Sequence, residues 1–221
     1  MGVDPGLVAT GFGVLEAGAG GVAVREAGVI STTAGQPLEA RLNALHRAIH
    51  RIIETQGPQL LVVEDLYTEY RFPRTAVLMG HARGVIYLAA RQLGVGVVAL
   101  APAEVKRAMT GNGAAGKAQM QRAVQSVLGL TAPPRPSHVA DALGLAATGM
   151  SRVMGRLPSP GRVSARNGET GPGGVSAPKG TTGQVGECGG HFWAPADEEK
   201  LPAASPPPVA PNGRGHPGAR A

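Results

Sequence analysis

The 221-residue chain is predicted to fold as an α/β domain, a mixed five-stranded sheet with flanking helices, followed by a disordered C-terminal tail. Three observations carry that reading. Short apolar runs of strand type alternate with segments of helical period as far as about residue 151. The order of elements, βββαβαβααα, contains strand–helix–strand units, whose right-handed crossovers tend to bring strands in parallel. From Gly155 onward the texture changes: 14 Gly and 11 Pro in 67 residues, about 37%, exceed the roughly 25–30% that marks low-complexity chain. The domain is therefore assigned to residues 1–151 and the tail to residues 152–221.

Residues 1–3 form a strand stub that ends in the Asp4-Pro5-Gly6 turn. Residues 10–16 and 22–30 read as a hairpin joined through the glycine-rich stretch 18–21. Leu38, Leu42, Leu45, Ile49 and Ile52/Ile53 repeat at helical spacing, and Gly57-Pro58 stops the helix. Leu60, Leu61, Val62 and Val63 are a continuous apolar run of buried-strand type. A polar loop, 65–74, leads into a long helix at 75–93, then a strand at 95–100 and a short helix at 102–110 opened by Pro102. After the loop 111–116 come helices at 117–128 and 137–150, the latter with Ser137 as candidate N-cap.

Net charge is +6 with a pI near 10.1, a basic excess that permits a polyanionic partner without requiring one. The single cysteine, Cys188, excludes an internal disulfide and suits a reducing compartment. The start lacks a basic n-region, and the most apolar helix-length segment carries His81, Arg83 and Arg91, so neither a signal peptide nor a membrane span is expected. The expected location is the cytoplasm.

Four scattered residues read as one acidic site. Asp4 ends the first strand, Glu64 ends the apolar run at 60–63, and His138 and Asp141 stand three apart near a helix start, hence on one face. If the first and fourth strands are neighbours, Asp4 and Glu64 leave the sheet at the same carboxyl edge, where ligands of open α/β sheets collect. Oxygen-rich clusters suit Mg²⁺ or Mn²⁺, and two such ions can serve both attack and departure in phosphodiester hydrolysis. Each residue alone has an ordinary reading: Asp4 as a turn residue, Asp141 as a complement to the helix dipole, His138 as a surface histidine.

The ordered set Gly2-Val3-Asp4-Pro5-Gly6, Thr10-Gly11-Phe12-Gly13, Val63-Glu64-Asp65, Gly80-His81-Ala82-Arg83-Gly84, Val105-Lys106, Lys117 and Ser137-His138-Val139-Ala140-Asp141-Ala142-Leu143 resembles the RuvC family, bacterial Holliday-junction resolvases with an RNase H-like fold. The resemblance covers residues 1–151. It implies a metal-dependent crossover junction endodeoxyribonuclease whose catalytic, metal-binding residues are Asp4, Glu64, His138 and Asp141. It also implies two Mg²⁺ ions per site, with Mn²⁺ as substitute, and Lys106 and Lys117 near the cleaved phosphate, Lys117 in a catalytic role. Tyr67 matches an aromatic that stacks on junction bases, and Tyr70, Arg71 and Arg74 extend an aromatic and basic DNA-binding loop. A homodimer is implied, with the helix at 75–93 in its contact, and a partnership with the RuvA–RuvB branch-migration complex. Only three residues precede Asp4, fewer than the family's first strand. This leaves a catalytically weak junction-binding protein, or another RNase H-like nuclease, as alternative readings.

Overall fold

The computed structural model describes residues 1–18, 21–66, 73–155 and 191–193. Its strands are β1 (Gly2–Asp4), β2 (Ala9–Gly18), β3 (Gly21–Ser31), β4 (Leu60–Glu64), β5 (Gly96–Leu100) and β6 (His191–Trp193). Its helices are α1 (Leu38–Gln56), α2 (Pro73–Gln92), α3 (Pro102–Thr110), α4 (Lys117–Leu128) and α5 (Ser137–Met154). The sheet runs β5-β4-β1-β2-β3-β6. β1, β4 and β5 are mutually parallel, and β2 is antiparallel to both β1 and β3.

The five strands read from the sequence make up this sheet, with β4 beside β1, and a three-residue sixth is added. β6 lies parallel to β3, with Gly28 opposite His191 and Ile30 opposite Trp193. It departs from a tail without structure; the rest of the tail lies outside the described residues. β2 and β3 run longer than the apolar runs alone suggest, because the hairpin pairing continues past Glu16–Ala23 to Gly18–Gly21. Ser137 is the first residue of α5 rather than its cap: Pro136 takes the cap position and no side chain bonds there.

Side-chain alternation sorts the sheet into two faces. Val3, Leu61 and Val63 join Leu45, Ile49, Ile53 and Ile86 in the core under α1 and α2. Val62 and Leu100 join Val105, Met120, Val124 and Leu143 in the core under α3, α4 and α5. By the same period of two, Asp4 and Glu64 project from the face covered by α5.

α5 lies unusually close to that face, and glycines make the approach possible. A Cβ on Gly2 would sit 2.1 Å from the Ala142 carbonyl oxygen, and one on Gly11 would sit 2.1 Å from that of His138. From the helix side, a Cβ on Gly149 would meet Val62 Cγ2 at 2.3 Å. The helix therefore rests backbone to backbone on β1 and β2, with its first turn beside Gly11, the register partner of Asp4. Among the described residues no helix is long and apolar enough to cross a membrane.

Candidate active site

Asp4 is held at the end of β1 although only three residues precede it. β1 is central, paired with β2 on one side and β4 on the other. The terminal ammonium of Met1 donates to the Leu60 carbonyl at 2.8 Å, and the Val62 amide donates to the Met1 carbonyl at 2.8 Å. The Thr10 hydroxyl, wholly buried, donates to the Gly6 carbonyl at 2.5 Å and so fixes the turn that follows Asp4. With Val3 opposite Val63, Asp4 and Glu64 close adjacent parallel strands, which lie about 4.8 Å apart in any sheet.

α5 brings the other two members over that edge. His138 Nδ1 donates to Asp4 Oδ2 at 2.7 Å, and Asp4 is only 8% exposed. Asp141, one turn further on, is half-buried. As the side chains stand, no three His, Cys, Asp or Glu groups among the described residues share the reach of one ion. Asp4 is turned onto the imidazole instead.

The electrostatics register the crowding. Burial pushes Glu64 up from its ordinary 4.5 to about 7, with repulsion from Asp4 and then Asp141 adding to it; Lys106 and Arg83 oppose the shift. Burial, followed by repulsion from Asp4, lifts Asp141 from 3.8 to about 6 against the pull of His138, Lys106 and Lys117. His138 is raised above its ordinary 6.5, chiefly by its hydrogen bond to Asp4. Three carboxylates at one edge, two of them reluctant to ionise, form a site whose charge calls for a cation. In donor type they suit a divalent cation, although Asp4, turned onto His138, does not join the other acids around one point as the side chains stand.

A pH dependence follows. Between about pH 4 and 7 the folded chain holds protons on Glu64 and Asp141 that the unfolded chain has released, so folding stability falls as pH rises through that window. His138 acts in the same direction, its contribution being full below 6.5 and lost above its raised folded value. The melting temperature in chelator is expected to drop from about pH 5 to about pH 8, and added Mg²⁺ to raise it more at the higher pH. Thermal scans at both pH values check this; an equal response to Mg²⁺ at both would contradict it.

Lys106, on α3, and Lys117, the first residue of α4, both act on Asp141, and Lys106 also acts on Glu64. Among the described residues neither lysine is tied up in an ion pair. Arg74 is exposed in the first turn of α2, with no bond joining it to the acids among the described residues. Tyr67, Tyr70 and Arg71 lie outside the described residues. One residue close to the acids received no role from the sequence: Arg83, buried on α2 and felt electrostatically by Glu64. In the sequence it counted against a membrane span and stood within the Gly80–Gly84 motif of the family resemblance, with no role of its own.

A mixed sheet in this order, with helices on both faces and acids gathered where β1 and β4 end, defines a nuclease of the RNase H-like class. The family profile described as "Crossover junction endodeoxyribonuclease RuvC" matches residues 1–149. A protein of that description from Rhodopirellula baltica is 43% identical over 149 residues, covering 67% of this chain and 84% of the relative. One from Moorella thermoacetica is 42% identical over 146 residues, covering 66% and 87%. The structure of Thermus thermophilus RuvC in complex with Holliday junction substrate superposes with a TM-score of 0.63 at 33% identity, covering 71% of this chain and 96% of that one. The chain belongs to the RuvC family of crossover junction endodeoxyribonucleases.

Proposed function

We propose that this protein resolves four-way DNA junctions by paired nicks, using divalent ions held by Asp4, Glu64, His138 and Asp141. The observation that supports it most is the convergence of four residues, separated by up to 137 positions, where β1 and β4 end beneath the first turn of α5. When bound, two divalent ions, Mg²⁺ or Mn²⁺, supply an acidified water and charge neutralisation at the scissile phosphate. Together they balance the three carboxylates and one phosphodiester.

The chain's own groups do the rest. Were Asp4 to turn from His138 toward Glu64 and Asp141, the imidazole would be released to offer a neutral nitrogen to the metal or to carry a proton near neutral pH. Lys117, exposed, and Lys106, half-buried, lie within electrostatic reach of Asp141, where an ammonium binds phosphate as a point charge and steadies developing negative charge. Tyr67, Tyr70 and Arg71, which follow Glu64 in the chain, and Arg74, in the first turn of α2, are assigned to DNA contact.

The working unit is a homodimer formed through α2. Val77 and Leu88 are 59% and 51% exposed, and His81 and Gly84 fall on the same helical stripe. A Cβ on Gly84 would touch nothing within 4 Å, so the chain's own packing does not require that glycine. A second copy laid along the stripe gives two sites related by a two-fold axis, as paired cuts in a four-way junction need. The RuvA–RuvB complex is the partner expected to present the junction.

A junction-cleavage assay tests the proposal. With Mg²⁺ the chain is expected to cut a four-way junction at two related positions and to leave linear duplex and RNA–DNA hybrid intact. Equal cutting of the three substrates would remove junction selectivity. Junction binding without cutting under any divalent ion would leave a binding protein.

A further inference from the structure

We propose that Arg83 is a positioning residue for cleavage: through Asp65 it fixes the point at which β4 delivers Glu64 and the chain turns into the loop beyond. The inference rests on Glu64 belonging to the active site.

Arg83 lies on the inner face of α2, its side chain 9% exposed. Its neighbours on that face, Ala82, Ile86, Ala89 and Ala90, are wholly buried. Nη2 donates to Asp65 Oδ1 at 3.1 Å and also to the Tyr87 hydroxyl, while the guanidinium carbon stands 5.2 Å from the centre of the Tyr87 ring. Nη1 is buried with no partner among the described residues. Asp65, next in sequence to Glu64, is gripped from several sides. Its amide donates to the Leu100 carbonyl at 2.8 Å, and its Oδ1 also accepts from the Leu66 amide at 2.9 Å.

Stability gives little reason for this arrangement. The Asp65 side chain is 53% exposed, and an ion pair with a partner so solvated returns little. Burying a guanidinium, here with Nη1 lacking a partner among the described residues, costs more than an apolar residue at the same position would. What the arrangement does supply is a tie between α2 and the end of β4: one nitrogen, Nη2, bonds Asp65 and Tyr87 together, on a planar group held over the Tyr87 ring. The Arg83 charge also reaches Glu64, partly offsetting the repulsion from Asp4 and Asp141.

The test uses the full chain and a synthetic four-way junction. Variants are Arg83→Met, which keeps the volume and drops the charge, Arg83→Lys, Asp65→Ala, and the double R83M/D65A. Junction is bound first in Ca²⁺, and a single turnover is started with Mg²⁺. A shift of about 1 Å at a reacting group can cost on the order of 100-fold, so R83M and D65A are each expected to slow the bound-state step about 10- to 100-fold. Junction affinity should stay within about threefold of the unaltered chain, R83K should recover part of the loss, and the double variant should be no slower than the slower single.

A lowered melting temperature with an unchanged single-turnover rate would reduce Arg83 to a packing residue and overturn the inference. So would losses that multiply in the double variant. Should R83M not fold, D65A and R83K carry the test, since Asp65 lies at the surface. If the unaltered chain leaves the junction uncut, the functional reading itself fails. If it cuts and D65A cuts equally well, only the role of Arg83 does.

Discussion

Asp141→Asn is expected to lower junction cleavage by about 10³-fold or more while junction affinity stays within about twofold. Asparagine keeps the size and one oxygen of the side chain but removes the charge that a divalent ion needs. The groups proposed to contact DNA, Lys106 on α3, Lys117 on α4 and the residues that follow Glu64 in the chain, are untouched. A second readout distinguishes this loss from damage to the fold. Asp141 is half-buried; burial first and then repulsion from Asp4 lift it to about 6, and its own charge contributes to the rise of Glu64 to about 7. Removing its charge relieves that repulsion, so the melting temperature in chelator at neutral pH should hold or rise. A variant that is dead and at least as stable fits a residue kept for chemistry at the expense of the fold. Near-normal cutting by Asp141→Asn in Mg²⁺ would remove Asp141 from the site.

Gly11→Ala is expected to destabilise the domain by about 3 kcal/mol or more, lowering the melting temperature by roughly 10 °C. Its Cβ would lie 2.1 Å from the His138 carbonyl oxygen and 2.6 Å from the carbon that bears it. Both are backbone atoms of a helix, which cannot rotate aside as a side chain would. α5 must then lift from the sheet, giving up contacts of Val139, Leu143 and Ala146 in the core beneath it. His138 and Asp141 move with it, so residual protein should also cut poorly. Gly96→Ala is the control: on β5 its Cβ would meet nothing within 4 Å, and it should melt within a few degrees of the unaltered chain. Equal melting of both variants would show that the close approach of α5 does not matter.

Much of the fold was legible because periodicity and burial agreed. The apolar run at 60–63 read as a buried strand and lies in the sheet between β1 and β5. The residues between His138 and Met150 repeat at helical spacing and pack as one buried helix. The acids were legible as a set because Asp4 and Glu64 each close a strand, and strand ends on one edge converge whatever the intervening chain does. Three things were not legible. The bond from His138 to Asp4 depends on side-chain rotation, which spacing does not encode. Ser137 carries the right chemistry for a cap, but Pro136 before it sets where the helix begins. The short strand at His191–Trp193 sits in a Gly- and Pro-rich stretch without period, and only its pairing with the β3 edge defines it.

Arg83 shows a different failing. A charged residue inside an apolar helix was read for what it excludes. Its place beside Asp65 becomes visible only when α2 is laid against the end of β4.

The central claim is that Asp4, Glu64, His138 and Asp141 act as one cage for divalent metal. The most direct measurement is anomalous diffraction from crystals of the protein grown with Mn²⁺. Two peaks about 3.5–4 Å apart, between the ends of β1 and β4 and ligated by Asp4, Glu64, His138 and Asp141, are the expected result. Manganese bound elsewhere on the chain, with this edge empty at a concentration that supports cutting, would contradict it.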